Sequence, residues 1–316
     1  MRQDLNCFFV VGAPRCGTSA ITGYLRNHPS VCFSSPKETN FFITAKDGAS
    51  PAVLKAQFLK AFFSPVEGQT LMLGEGSVSN LYSADALKLA HASFPDAKFI
   101  VMLRDPVALM RSYHARLIYM RQETEQDFET AWNLQEARAD GRSIPRSCYD
   151  PRMLQYREVG SLGRYTSQLF DLVGRERCRA VFFDDFTKDT PTTYRKTLEF
   201  LGLPDDGRTK FRQKNSHAGF KSAFMQDIYS GTVLGPLGRM MAKHPRHLAR
   251  VASMTRSIRK KVRSFNRVEL EVQPFDAALA DRLRAAFSED VEQLSHLLQR
   301  DLGHWILPSD AEKSLS

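Results

Sequence analysis

A short apolar run, Cys7 to Val11 (CFFVV), leads straight into a glycine-bounded loop, Gly12 to Ala20 (GAPRCGTSA), which merges into a helix-forming stretch, Thr18 to Asn27. A strand with no polar alternation is buried on both faces, as in parallel sheets. Further β-rich runs occur at Leu71–Glu75, Lys98–Arg104 and Arg179–Phe186. Helical patterns separate them at Ala52–Phe62, Ala84–Ser93, Val107–Arg121, Leu162–Gly174 and Thr192–Gly202. This alternation predicts an α/β fold, a P-loop-type parallel sheet with helices on both faces, followed by a C-terminal helical segment. Ligands of such sheets bind at the carboxyl ends of the strands.

With 316 residues, the chain has room for one or two domains at about 150 residues each. The pattern predicts one domain over 1–316, with an α/β core at 1–222 and a helical extension at 223–316. The net charge of +9 is local. From Ile228 to Val268 there are ten Lys and Arg and no Asp or Glu, so the remainder sums to −1. Within it, Leu237 to Arg267 shows apolar residues at spacings of three and four, a basic amphipathic helical pattern. It predicts either a helix packed on the body with a solvated cationic face or peripheral contact with an anionic membrane. No nucleic-acid-binding motif accompanies the charge. The five cysteines are scattered and lack any CxxC spacing, which excludes a disulfide framework and a zinc ribbon and fits a reduced cytoplasm. No signal-peptide pattern opens the chain and no run approaches a membrane span, so the expected location is cytoplasmic, with the inner membrane face as its peripheral variant.

The loop after the first strand has nearly the frame GxxxxGK[ST], with Gly12, Gly17 and Ser19 in place but Thr18 where the lysine belongs. Without that lysine, ATP or GTP chemistry lacks its main phosphate clamp. The loop still suits an anion: glycines allow close backbone approach, and helix-start N–H groups, the Thr18 and Ser19 hydroxyls and the Arg15 cation supply donors. Arg15, Cys16, Gly17, Thr18 and Ser19 are therefore candidate ligand-binding residues. A second signal is RDPVALMRSY, Arg104 to Tyr113. Arg104 ends a predicted strand, Pro106 suits the next helix's first turn, and Ser112 falls about two turns further on. Arg104 and Ser112 can hold a second phosphate. No metal-holding pattern is present, so no metal is expected.

Together the two motifs resemble those of the sulfotransferases that use 3′-phosphoadenosine 5′-phosphosulfate (PAPS), and in particular the bacterial and glycan or heparan-type members. Gly163 to Pro204 looks like the family's helix–strand–helix segment, and Leu283 to Trp305 like the C-terminal helix of bacterial members. The resemblance implies a P-loop α/β fold, PAPS as co-substrate, 3′-phosphoadenosine 5′-phosphate as product and a hydroxyl-bearing acceptor. The first loop would hold the 5′-phosphosulfate, and the Arg104…Ser112 pair the 3′-phosphate. Arg15 replaces the lysine of many members and stays protonated, so its implied role is electrostatic. Gly76 stands where glycan-type members often carry a lysine.

Sulfuryl transfer needs a group to take the acceptor proton. In SSPKETNFF, Ser34 to Phe42, Glu38 occupies the position of the catalytic base of glycan-type members, with Glu75 as the rival carboxylate. His91 and His114 lie on predicted helices and read as surface or packing residues. KNSHAGFKS, Lys214 to Ser222, resembles a late nucleotide loop and adds Asn215, Ser216 and Lys221 as candidates. Two other functions compete with this reading. One is a P-loop kinase or NTPase, for which Asp184 and Asp185 would mimic the acidic metal ligand. The other is a non-enzymatic module binding anionic surfaces through the basic segment.

Overall fold

The computed structural model of the chain describes residues 5–45, 48–65, 68, 70–211, 218–220, 267–269 and 273–307. Five strands, β1 (Asn6–Gly12), β2 (Val31–Phe33), β3 (Met72–Glu75), β4 (Lys98–Leu103) and β5 (Cys178–Phe182), form one sheet in the order β2-β3-β1-β4-β5. Every pairing in it is parallel. Phe8 to Val11 and Phe99 to Leu103 have no exposed surface, as expected for central strands covered on both faces.

The helices begin where the local chemistry caps them. Ser50 accepts from Val53 N–H ahead of α3 (Pro51–Phe62), whose first residue is proline. Ser83 does the same for α4 (Ala84–Ser93), and Asp189 for the helix Thr190–Leu201, which ends at Gly202 with φ 72°. Between β1 and β2 lies α1 (Thr18–Arg26), and the short α2 (Phe41–Thr44) precedes α3. After β4 comes α5 (Pro106–Tyr119), started by Asp105, whose Oδ1 accepts from Val107 N–H at 2.7 Å. A ring cluster of Phe9, Phe42, Phe58, Phe94 and Phe99 fills one side of the sheet.

Three sequence expectations are corrected. The run Arg179–Phe186 is not one strand: β5 ends at Phe182 and Phe183–Lys188 is helical. Asp184 and Asp185 place their charges in that helix's first turn, where the dipole favours them, whereas a buried strand would leave them unpaired. The final helix runs Ala277–Leu298, with a separate 3₁₀ turn at Gly303–Trp305. Arg267 opens a strand, Arg267–Glu269, paired antiparallel with Ala218–Phe220, rather than closing a helix. The rest of the basic stretch, 237–266, and Asn215, Ser216 and Lys221 lie outside the described residues.

The chain divides into two compact units. The first comprises Met1–Leu109, Gly160–Lys214 and Ala280–Ser316 and holds the whole five-stranded sheet. The second comprises Met110–Val159 and Asn215–Leu279. Its polar centre is Glu123, fully buried, whose carboxylate accepts from Thr124 N–H, Glu125 N–H, the Tyr156 hydroxyl and the guanidinium of buried Arg138, with Arg138 Nη1 2.7 Å from Oε2. Burial pushes the carboxyl up, but the hydrogen bonds from Glu125, Arg138 and Tyr156 outweigh it and hold Glu123 below the usual carboxylate range. Arg138→Met strands that charge and should cost about 3–5 kcal/mol of stability. Denaturant titration checks it; a loss below about 1 kcal/mol, the value of an exposed pair, would contradict the account.

Candidate functional site

The loop after β1, Arg104 after β4 and Glu75 at the end of β3 lie at the carboxyl edge of the sheet in the first unit, and the segment carrying Glu38 is bonded to the end of β3. The loop after β1 is fixed by a backbone bond from Ala13 N–H to Met102 C=O, 2.8 Å, tying it to β4. Gly17 then caps α1 with φ 86° and offers no side-chain hydrogen bond. An α-helix leaves its first N–H groups without intrahelical partners, so the start of α1 presents donors and the positive end of its dipole. Ser19 is exposed there, whereas Thr18 is nearly buried.

Arg15 sits at φ 63°, a left-handed conformation that a long side chain adopts only when neighbours enforce it. One neighbour is Arg104, whose Nη1 donates to the Arg15 carbonyl at 3.1 Å. Its guanidinium also lies 4.3 Å from the ring centre of Phe183. The same ring crowds Gly17, where an added Cβ would come 3.1 Å from Phe183 Cδ2. Phe183 is thus the packing element that sets Gly17 and Arg104 together, and the strand assignment of its segment concealed that role. Cys16 is fully buried, and burial pushes its thiol up to about 12 against the charges of Arg104 and Arg15. It is therefore a packing thiol, with its Sγ 3.5 Å from the Pro14 carbonyl and its N–H bonded to the Ala13 carbonyl at 3.4 Å. Ser112 is buried on α5, in the residues assigned to the second unit.

The two candidate carboxylates occupy opposite environments. Glu38 is exposed, and its Oε1 accepts from Lys37 Nζ at 2.9 Å. Its Oε2 makes no hydrogen bond among the described residues. Glu75, the last residue of β3, is buried to 1% exposure. Its Oε1 accepts from Thr39 N–H and Thr39 Oγ1, both at 3.1 Å, and from Ser77 Oγ. Its Oε2 accepts from Ser77 N–H at 2.9 Å. Burial raises the Glu75 carboxyl above the usual range although these bonds from Ser77 and Thr39 oppose it. With its acceptors occupied and almost no exposed surface, Glu75 is poorly placed to meet a substrate hydroxyl. Thr39, Ser77 and Ser79 escaped the sequence reading; their only signal was the density of hydroxyls in GEGSVSN and KETN.

Asp185 is engaged by Arg300 Nη2 at 2.9 Å, and that hydrogen bond holds its carboxyl below the usual range. Among the described residues no three His, Cys, Asp or Glu side chains group so as to hold a metal ion, and no helix is long and apolar enough to cross a membrane.

The chain is similar to carbohydrate sulfotransferase 15 of Mus musculus, 24% identical over 243 residues, and of Homo sapiens, 23% identical over 250 residues. Each match takes in 62% of this chain but 43% of the relative, so the chain spans under half the length of these curated relatives. The fold is similar to that of a solved sulfotransferase from Alicyclobacillus acidocaldarius, with a TM-score of 0.63 and 23% identity, covering 94% of this chain and 97% of that one. Residues 45–207, just over half of the sequence, match the model of the sulfotransferase family, and the chain belongs to that family.

Proposed function

We propose that the chain moves a sulfuryl group from PAPS to an acceptor hydroxyl, with Glu38 as general base. The observation that supports this most is the start of α1, which no side chain caps, beside two arginines at one sheet edge, together with a single solvent-facing carboxylate on the neighbouring segment. The α1 amides, Ser19 and Arg15 would hold the 5′-phosphosulfate. Arg104 and Ser112 would hold the 3′-phosphate, with Asn215, Ser216 and Lys221 as the late-loop candidates. In the reaction the acceptor oxygen attacks sulfur as the bond from sulfur to the bridging oxygen breaks. That oxygen leaves on 3′-phosphoadenosine 5′-phosphate, and the acceptor proton passes to the free oxygen of Glu38. Arg15 stabilises charge growing on the bridging oxygen but has no proton to give at neutral pH.

The curated relatives are named for carbohydrates, so carbohydrate hydroxyls are the first acceptor class to test, before lipid or small alcohols. The deciding experiment is transfer of labelled sulfate from PAPS to unsulfated glycans, lipids and simple alcohols, with ATP as control donor. Sulfate transfer with no phosphoryl transfer is expected; phosphoryl transfer alone would overturn the proposal.

Two variants extend the test. Glu38→Gln keeps the shape and removes the basic oxygen, so turnover should fall about 10²–10⁴-fold with PAPS affinity nearly intact. Undiminished turnover would remove Glu38 as base. Gly17→Ala forces a Cβ into a left-handed residue against Phe183, with an expected loss of about 1–2 kcal/mol of stability and weaker donor binding. Thermal unfolding and equilibrium binding of the bisphosphate product check it, and an unchanged protein on both would contradict the loop geometry.

A further inference from the structure

Glu38 has an exposed side chain on a backbone held at both flanks. The carbonyl of Lys37, on one side, accepts from Gly76 N–H at 3.1 Å and from Ser34 Oγ at 3.2 Å. On the other side, Thr39 gives both its N–H and its hydroxyl to Glu75. One residue further, Asn40 N–H donates to Ser77 Oγ at 2.8 Å, and its Oδ1 accepts from Ser79 Oγ at 2.6 Å. Asn40 can follow because its φ of 50° is one that asparagine tolerates. The Lys37–Asn40 segment is thus stitched to the end of β3, with Glu75 at the centre of the stitching.

The residue types suit this task. A carboxylate is a pure acceptor with room for several donors, and Glu75 receives four, two from Thr39 and two from Ser77. Ser77 in turn relays the link, since its hydroxyl gives its proton to Glu75 and accepts from Asn40. Gly76 completes the arrangement by leaving space: a Cβ there would come 2.9 Å from Lys37 Cε. The stem of Lys37 lies in that space, and its ammonium reaches Glu38.

We propose that Glu75 is a positioning residue that fixes the segment carrying Glu38 and so aims the base, an inference that rests on the reading of Glu38 given above. Glu75→Gln keeps the acceptors for Thr39 but turns an amide N–H₂ toward the Ser77 N–H, two donors face to face. That repulsion displaces Ser77, and with it the Asn40 N–H that Ser77 Oγ holds, so the segment is loosened on the Asn40 side of Glu38 while the loop after β1 is untouched.

The test is a double-mutant cycle of Glu75→Gln and Glu38→Gln in the full chain. The readouts are labelled sulfate passed from PAPS to a mixture of unsulfated chondroitin and heparosan, and labelled sulfate released to water. Glu75→Gln alone should lower kcat about 10- to 100-fold, as a misplaced catalytic group does, with the affinity for 3′-phosphoadenosine 5′-phosphate within about twofold of the parent. Added to Glu38→Gln, it should lower kcat by less than about twofold, because a group acting through Glu38 has nothing left to aim. Equal losses in both backgrounds, or no loss from Glu75→Gln alone, would overturn the role of Glu75. Full activity of the single Glu38→Gln variant would overturn the base assignment itself, a separate result. Should Glu75→Gln fail to fold, Thr39→Val and Ser77→Ala each remove one hydroxyl donor without stranding a charge and enter the same cycle, with the same pattern expected.

Discussion

The central constraint is the double burial of β1. Phe8 to Val11 are sealed on both faces, so β1 must lie inside the sheet, with β3 on one side and β4 on the other. Parallel pairing then brings the ends of all three strands to one edge, and the segments after them become neighbours although they lie far apart in sequence. The loop after β1 brings Arg15 and the open end of α1, the end of β4 brings Arg104, and the end of β3 brings Glu75 and its hydroxyls. A polar residue in the middle of β1 would disturb every one of these placements at once.

Electrostatics at that edge divides by burial. Arg15 and Arg104 are half-buried and share one backbone contact, so their charges act on the loop that faces a ligand. Their field reaches the buried Cys16 thiol, where it opposes burial without overcoming it. Glu75 and Glu38 show how two carboxylates near each other in the fold take different work. The buried one has its acceptors filled by protein donors, which suits holding; the exposed one keeps an oxygen open, which suits accepting a proton.

Much of this was legible in the sequence for a physical reason: continuous apolar runs, glycine turns and proline or serine starts act locally. Thus β1, β3, β4, α1 and α4 lie within a residue or two of where pattern alone puts them. The error at Phe183–Lys188 has the same origin, since an apolar start and an aromatic repeat imitate a strand until the two aspartates meet a helix dipole. The stitching around Glu38 was not legible. Its bonds join residues 36 to 39 positions apart, and no local pattern reports which hydroxyl will face which carboxylate after folding. Glu75 therefore reads in sequence as an alternative base, and only its burial and filled acceptors separate it from Glu38.

The proposed chemistry requires this sheet edge to be a site for two phosphates held by protein groups alone. Calorimetric titration of 3′-phosphoadenosine 5′-phosphate into the parent chain and into Arg104→Ala, both in excess chelator, tests this directly. The predicted result is saturable one-site binding to the parent without added metal, weakened about ten- to hundredfold in Arg104→Ala, the loss of one charge-assisted contact of roughly 1.5–3 kcal/mol. Binding that appears only with magnesium, or that is equally tight in both proteins, would contradict it.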